Sequence, residues 1–129
     1  MPSTSDEELI AAAVAAREHA YAPYSAFAVG AALLCDDGTV LSACNVENAS
    51  YGLTICAERA AVFAAIASGR RRFVALAVAG PLESVTPPCG ACRQVLTEFA
   101  PGLRVLYTQK DGFQSAALAD LLPAAFELP

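Results

Sequence analysis

The chain has 129 residues, of which 56% are hydrophobic and 16% are charged, and its formal net charge is −5. This length predicts one domain over residues 1–129, with room for a sizeable core. The acidic balance argues against a nucleic-acid groove, which needs a basic stripe, and the apolar runs are shorter than the roughly twenty residues of a membrane span. We therefore expect neither a nucleic acid nor a membrane as partner.

The apolar excess indicates that part of the surface is buried against another copy of the chain, so we expect a homo-oligomer. Five cysteines are an odd number for a disulfide framework, and no basic-then-apolar leader is visible at the N-terminus. These features predict a reduced, cytoplasmic protein. Cys35, Cys44 and His19 are interpreted as structural residues.

The first half of the chain reads as a helix, a hairpin and a second helix. Ser5 and Glu8 form a capping-box pattern that opens a helix running to about Tyr21. Residues 25–35 and 39–46 have the character of strands, joined at the turn of residues 36–38. Thr54 is predicted to cap a helix over residues 55–68, which ends before Gly69.

The second half alternates strands with helices. Residues 73–79 are a continuous apolar run and predict a central strand, and a helix over residues 90–99 follows the proline pair at 87–88. Strands over 103–108 and 113–116 flank a turn at 110–112, and a short helix over 118–122 closes the chain. This order predicts an α/β domain with helices packed on one sheet.

Three cysteines and a glutamate are spaced as in a catalytic zinc site. Cys56 and Glu58 lie at a predicted helix start, and Cys89 and Cys92 lie at another, thirty-three residues beyond Cys56. Three protein ligands leave one position of a tetrahedral zinc open, whereas structural zinc sites are closed by four. Partial positive charge at helix N-termini favours the thiolates that a metal needs.

Other interpretations of these cysteines have less support. Cys89 and Cys92 alone could form a thioredoxin-like redox pair, but Cys56 and Glu58 would then have no role. A structural zinc would require a fourth ligand, and a lone C-x-x-C arises by chance. The combination with Cys56-Ala57-Glu58 favours the catalytic site.

The chain resembles the cytidine deaminase family, in its short, three-cysteine, homotetrameric branch. Besides the zinc motif, the resemblance covers residues 24–33, 44–52, 93–96 and 120–126, nearly the whole chain in order. It implies an α/β/α sandwich, with a mixed sheet of about five strands and helices on both faces. It also implies a homotetramer.

The resemblance implies the chemistry of the site. Cys56, Cys89 and Cys92 would bind one Zn²⁺ per subunit, and the hydroxide that it provides would attack C4 of cytosine. Glu58 would carry the protons, and Arg59 would hydrogen-bond the cysteine sulfurs. The reaction would convert cytidine and deoxycytidine to uridine and deoxyuridine plus ammonia, in pyrimidine salvage.

The nucleoside contacts are also implied. Asn45 and Glu47, which alternate onto one face of an extended chain, would bind the 3′-hydroxyl of the sugar. Phe27 would stack on the pyrimidine, and the Ala57 backbone would accept from its amino group. Tyr51 and Phe126 would reach the substrate from neighbouring subunits.

Three other functions remain open at this point. A blasticidin-type deaminase shares the zinc core, but the pair Asn45 and Glu47 favours a nucleoside. Nucleic-acid editing is disfavoured by the acidic charge. A non-catalytic zinc module would leave Glu58 dispensable.

Overall fold

A computed structural model describes residues 4–81 and 83–129. The helices are α1 (Asp6–Arg17), α2 (Ala57–Ala67), α3 (Gly90–Phe99) and α4 (Leu118–Leu121), with a 3₁₀ turn over Tyr51–Leu53. The strands are β1 (Gly30–Cys35), β2 (Val40–Cys44), β3 (Phe73–Ala79), β4 (Arg104–Gln109) and β5 (Gly112–Ala117). Every predicted helix and strand is present, with differences at the ends.

The strands form one mixed sheet in the order β2-β1-β3-β4-β5. β3 and β4 are parallel, and the other neighbours are antiparallel. The central position predicted for Phe73–Ala79 is confirmed. The helix between β3 and β4 is α3, so this crossover brings the start of α3 to the end of the central strand.

Helices cover both faces of the sheet, as the resemblance implied. On one face Leu9 and Ala13 of α1 pack on Ala32, Ala77 and Leu106. On the other face the core is formed by α2, α3 and the alternate strand residues, among them Ala61, Val62, Leu96, Leu33, Leu76, Val78 and Val105. The small residues on the first face let α1 approach the sheet closely. A Cβ at Gly30 would lie 2.0 Å from the carbonyl oxygen of Ala13.

The first helix ends earlier than the sequence predicts. Ser5 and Glu8 form the expected capping box, but α1 stops at Arg17 rather than near Tyr21. The Tyr21 amide donates to Asn45 O at 3.0 Å, and its carbonyl accepts from Glu47 N at 2.8 Å. Because Tyr21 pairs with a distant segment, its backbone is unavailable to the helix.

The first hairpin is shorter than predicted. β1 begins at Gly30 instead of residue 25, and Ala26 has a left-handed φ of 59° that no regular strand accommodates. β2 ends at Cys44, and beyond its end Val46 forms isolated β-bridges to Tyr21 and Ile55. The segment before β1 is instead bound by side chains, as described below.

The prediction that Thr54 caps α2 is wrong. The N-cap is Cys56, and the Thr54 hydroxyl accepts from the amide of Asn48 at 3.2 Å. The bridge between Val46 and Ile55 keeps the preceding chain extended, so the helix starts at Ala57. No helix of the described residues is long and apolar enough to cross a membrane.

Candidate active site

Three thiols meet where α2 and α3 begin. Cys56 and Cys89 are the N-cap residues of these helices, and Cys92 lies in the first turn of α3. Their sulfur atoms all lie within 4.8 Å of one another. Sγ of Cys89 is 3.8 Å from Sγ of Cys56 and 3.4 Å from Sγ of Cys92. Cys56 and the pair Cys89 and Cys92, which the sequence analysis grouped as one site, therefore form one cluster.

The cluster fits zinc. Tetrahedral thiolates held about 2.3 Å from zinc are about 3.8 Å apart, which is close to the separations found here. Neither N-cap cysteine makes a side-chain capping bond, so the sulfurs remain available. The free N–H groups of two helix starts also favour negative charge at this point.

Arg59 supplies a cation to the cluster. Its Nη2 donates to Sγ of Cys56 at 3.2 Å, while its buried Nε has no partner among the described residues. Hydrogen bonds from Cys92 and then from Arg59 lower the pKa of the Cys56 thiol to about 5. The pKa of Cys92 is raised, first by its bond to Cys56 and then by burial. Without a metal, the negative charge therefore concentrates on the sulfur that faces Arg59.

Glu58 lies beside the thiols in the first turn of α2. It is only 5% exposed, and burial raises the pKa of its carboxyl group from 4.5 to about 6. A carboxyl group with a pKa near neutrality can both accept and donate a proton in the working pH range. Geometry and protonation behaviour together suit proton transfer.

A cavity of about 350 Å³ opens onto this centre, at the lower end of the range for small-molecule sites. Its lining brings together most of the predicted residues, namely Phe27, Asn45, Glu47, Cys56, Ala57, Glu58 and Cys89. Phe27 forms part of the wall and is 39% exposed. Val46 does not line the cavity, so Asn45 and Glu47 share a face although β2 has already ended.

The side chain of Asn45 holds the segment before β1 through two hydrogen bonds to its backbone. Its Oδ1 accepts from Val29 N at 2.9 Å, and its Nδ2 donates to the carbonyl of Phe27 at 2.8 Å. The side chain is almost completely buried. An amide has two donor hydrogens, so one N–H of Asn45 is left for a ligand.

Glu47 is bound by the same segment. Its Oε1 accepts from the amides of Tyr24 at 2.9 Å and Ser25 at 3.1 Å, and its Oε2 accepts from the Ser25 hydroxyl. These hydrogen bonds, led by the one from the Ser25 hydroxyl, lower the pKa of Glu47. The carboxylate is therefore ionised and oriented at neutral pH.

Two of the predicted substrate residues lie outside the cavity. Tyr51 is 75% exposed and makes an edge contact with the ring of Tyr24. Phe126 is 69% exposed in the C-terminal segment, where its carbonyl accepts from Gln94 Nε2 at 3.0 Å. Within one chain, neither side chain contributes to the cavity lining.

Sequence reasoning gave no role in the site to five lining residues: Ser25, Val29, Thr54, Thr86 and Pro87. Thr86 is buried, and its amide donates to the carbonyl of Thr108 at 3.1 Å, which holds the loop before Pro87 against β4. The only local signal for Ser25 is the hydroxyl two residues before Phe27, a spacing typical of a serine turn.

Comparisons with known proteins agree with this geometry. The family model of the cytidine and deoxycytidylate deaminase zinc-binding region matches residues 3–108. A cytidine deaminase of Sporosarcina psychrophila is 51% identical over 122 residues, covering 93% of this chain and 90% of that protein. A cytidine deaminase of Mycobacterium tuberculosis is 49% identical over 128 residues, covering 99% of this chain and 94% of that protein.

The fold is matched as well. The crystal structure of a cytidine deaminase from Burkholderia pseudomallei superimposes with a TM-score of 0.90 at 53% identity, covering 95% of this chain and 99% of that chain. Fold and site together define a zinc-dependent enzyme of the deaminase class. The chain belongs to the cytidine and deoxycytidylate deaminase family.

Proposed function

We propose that this protein catalyses the zinc-dependent hydrolytic deamination of cytidine and deoxycytidine, releasing uridine or deoxyuridine and ammonia, and that it serves pyrimidine salvage. The observation that carries the proposal is a three-thiol cluster of which Cys56 and Cys89 line one cavity, together with the buried Glu58 and with Phe27, Asn45 and Glu47. The names of the relatives support the same reaction.

The metal site is assigned to Cys56, Cys89 and Cys92. When bound there, zinc supplies the Lewis acidity that lowers the pKa of a water molecule toward neutrality. Arg59 offsets the excess negative charge of three thiolates through its contact with Cys56. The thiols must stay reduced to bind a metal, which supports a cytoplasmic location.

Glu58 is assigned the proton transfers. It takes a proton from the attacking water, delivers one to N3 of the ring and protonates the departing amine, so that water and cytidine become uridine and ammonia. Burial beside the thiols supports this role, because it raises the pKa of the carboxyl group to about 6. The backbone carbonyl of Ala57, in the adjoining lining, would accept from the amino group.

The remaining cavity wall suits a nucleoside. Phe27 offers a ring face of the kind that stacks on a pyrimidine. Glu47 retains one unoccupied acceptor position on Oε2 after its three bonds to the Tyr24–Ser25 segment, and Asn45 retains one N–H. An acceptor beside a donor can bind the 3′-hydroxyl of a sugar.

We further propose that the active protein is a homotetramer and that Tyr51 and Phe126 approach the sites of neighbouring copies. Both side chains are large and exposed, and neither contributes to the cavity lining of its own chain. Light scattering coupled to gel filtration tests the assembly, and a stable monomer at micromolar concentration would contradict it.

Ultraviolet-monitored turnover of cytidine by zinc-loaded protein tests the reaction, with Glu58→Gln as the matched variant. Conversion by the wild type alone supports both the reaction and the role of Glu58. If neither protein reacts although zinc is bound, the nucleoside assignment is wrong. Turnover of blasticidin S instead of cytidine would indicate the alternative substrate class.

A further inference from the structure

We propose that Ser25 is a positioning residue that joins the Glu47 carboxylate to the Phe27 backbone and so sets the preference for a nucleoside that carries a 3′-hydroxyl. The inference rests on the proposed function, because it takes Glu47 as the acceptor for that hydroxyl. It assigns a role to a residue that the zinc chemistry does not require.

The Ser25 hydroxyl makes two hydrogen bonds at once. It donates to Oε2 of Glu47, and it accepts from the amide of Phe27 at 3.0 Å. A hydroxyl has one donor hydrogen and two acceptor lone pairs, so it can serve both partners. One side chain therefore connects the proposed sugar contact with the proposed base contact.

The connection limits how Glu47 can act. A carboxylate has about four acceptor positions. The amides of Tyr24 and Ser25 occupy Oε1, and the Ser25 hydroxyl occupies one position on Oε2. A single direction on Oε2 remains for a ligand. Without the Ser25 hydroxyl, Oε2 of Glu47 would accept none of these three hydrogen bonds. Water would then bind Oε2 from more than one direction, and no single direction would be reserved for the ligand.

The connection also holds the backbone of Phe27 from both sides. Its amide is bound by Ser25, and its carbonyl is bound by Nδ2 of Asn45 at 2.8 Å. Between Ser25 and Phe27, Ala26 adopts a left-handed φ of 59°, which costs free energy for an alanine. Such a conformation persists where surrounding contacts hold it, and these three side chains provide them.

The test compares Ser25→Ala with Ser25→Thr, which keeps the hydroxyl, using cytidine and 3′-deoxycytidine as substrates. We expect Ser25→Ala to raise KM for cytidine more than it lowers kcat, and to reduce the kcat/KM ratio between cytidine and 3′-deoxycytidine by about tenfold. Ser25→Thr should retain most of that ratio. Both substrates are measured on one preparation, so the ratio is independent of the active fraction.

The outcomes separate this inference from the reaction itself. An unchanged ratio in Ser25→Ala, with cytidine still deaminated by the wild type, overturns the role of Ser25 and leaves the reaction standing. The same loss in Ser25→Thr would point to packing rather than the hydroxyl and would also overturn it. If the wild type does not deaminate cytidine, the proposed function itself is wrong, and the inference about Ser25 is wrong with it. If Ser25→Ala does not fold, Ser25→Cys gives the same comparison, because a thiol is a much weaker donor.

Discussion

Nη2 of Arg59 lies 3.2 Å from Sγ of Cys56, the N-cap residue of the same helix. Three thiolates around one Zn²⁺ would carry a net negative charge, and this contact would offset part of it. We expect Arg59→Ala to retain zinc and to lose about 10- to 100-fold in kcat, as is usual when a residue behind a metal ligand is removed.

Arg72→Ala is the matched control for this prediction, because Arg72 is an exposed arginine outside the site. Zinc content by atomic absorption and steady-state rates should be measured on the same samples. Full activity in zinc-loaded Arg59→Ala would show that the contact has no catalytic role.

The burial of Glu58 predicts a pH-dependent stability in the metal-free protein. Its folded-state pKa of about 6 exceeds the ordinary 4.5, so the folded state binds the proton more tightly. The ionised group therefore destabilises the fold as the pH rises from 4.5 through 6. The cost above pH 7 is about 2 kcal/mol for a shift of this size.

Glu58→Gln removes that titration. In urea unfolding, we expect the free energy of unfolding of the metal-free variant to exceed that of the metal-free wild type by about 2 kcal/mol above pH 7. The two free energies should be equal below pH 4. Groups that do not interact with Glu58 titrate equally in both proteins, so their contributions cancel in the difference. A difference that stays constant across this range would show that Glu58 keeps its ordinary pKa.

The close approach of α1 to the sheet predicts that Gly30 tolerates no side chain. In Gly30→Ala the new Cβ would meet the carbonyl oxygen of Ala13 at 2.0 Å and the amide nitrogen of Arg17 at 2.5 Å. Both are backbone atoms, so the helix must move, and we expect a loss of about 3 kcal/mol or more in unfolding free energy.

Gly102→Ala is the control, since nothing lies within 4 Å of a Cβ built there. Its unfolding free energy should change by less than about 1 kcal/mol. Equal unfolding midpoints for the two alanine variants would contradict the proposed close packing.

Arg93 connects the loop that precedes Cys89 to the last helix, α4. Its Nε donates to the carbonyl of Pro88 and its Nη1 to the carbonyl of Leu121, each at 2.7 Å. A lysine offers a single ammonium group and cannot reproduce this fork. We expect Arg93→Lys to weaken zinc binding by about tenfold in chelator competition, because Pro88 precedes Cys89.

Gln94→Ala provides the comparison, because it removes the contact to Phe126 without touching Pro88. It should speed proteolysis of the C-terminal segment while zinc affinity stays unchanged. Equal zinc affinity in Arg93→Lys and the wild type would restrict Arg93 to a role in holding the C-terminus.

Much of the fold follows from local signals. The capping box of Ser5 and Glu8 starts α1, and Gly69, with a φ of 90°, follows the end of α2. The apolar run of β3 was correctly predicted as the central strand. The spacing of Cys89 and Cys92 predicted two neighbouring thiols at one helix start, because side chains three residues apart share a face, and their sulfur atoms are 3.4 Å apart.

The errors have a common physical origin. α1 ends early because Tyr21 pairs with residues 45 and 47, and α2 starts late because Ile55 bridges Val46. Both contacts join segments whose pairing no local pattern reports. The hydrogen bond from the Ser25 hydroxyl to Glu47, 22 residues away, was missed for the same reason.

The sequence by itself determined the thiol and carboxyl chemistry of the candidate site, the helix and strand order and the family resemblance, because residue type, spacing and periodicity carry that information along the chain. Only the tertiary structure decided how deeply Glu58 is buried, which acceptor position of Glu47 stays free and where the segment before β1 turns. Burial and hydrogen-bond partners depend on residues brought together across the fold, and these determine the pKa and orientation of each group.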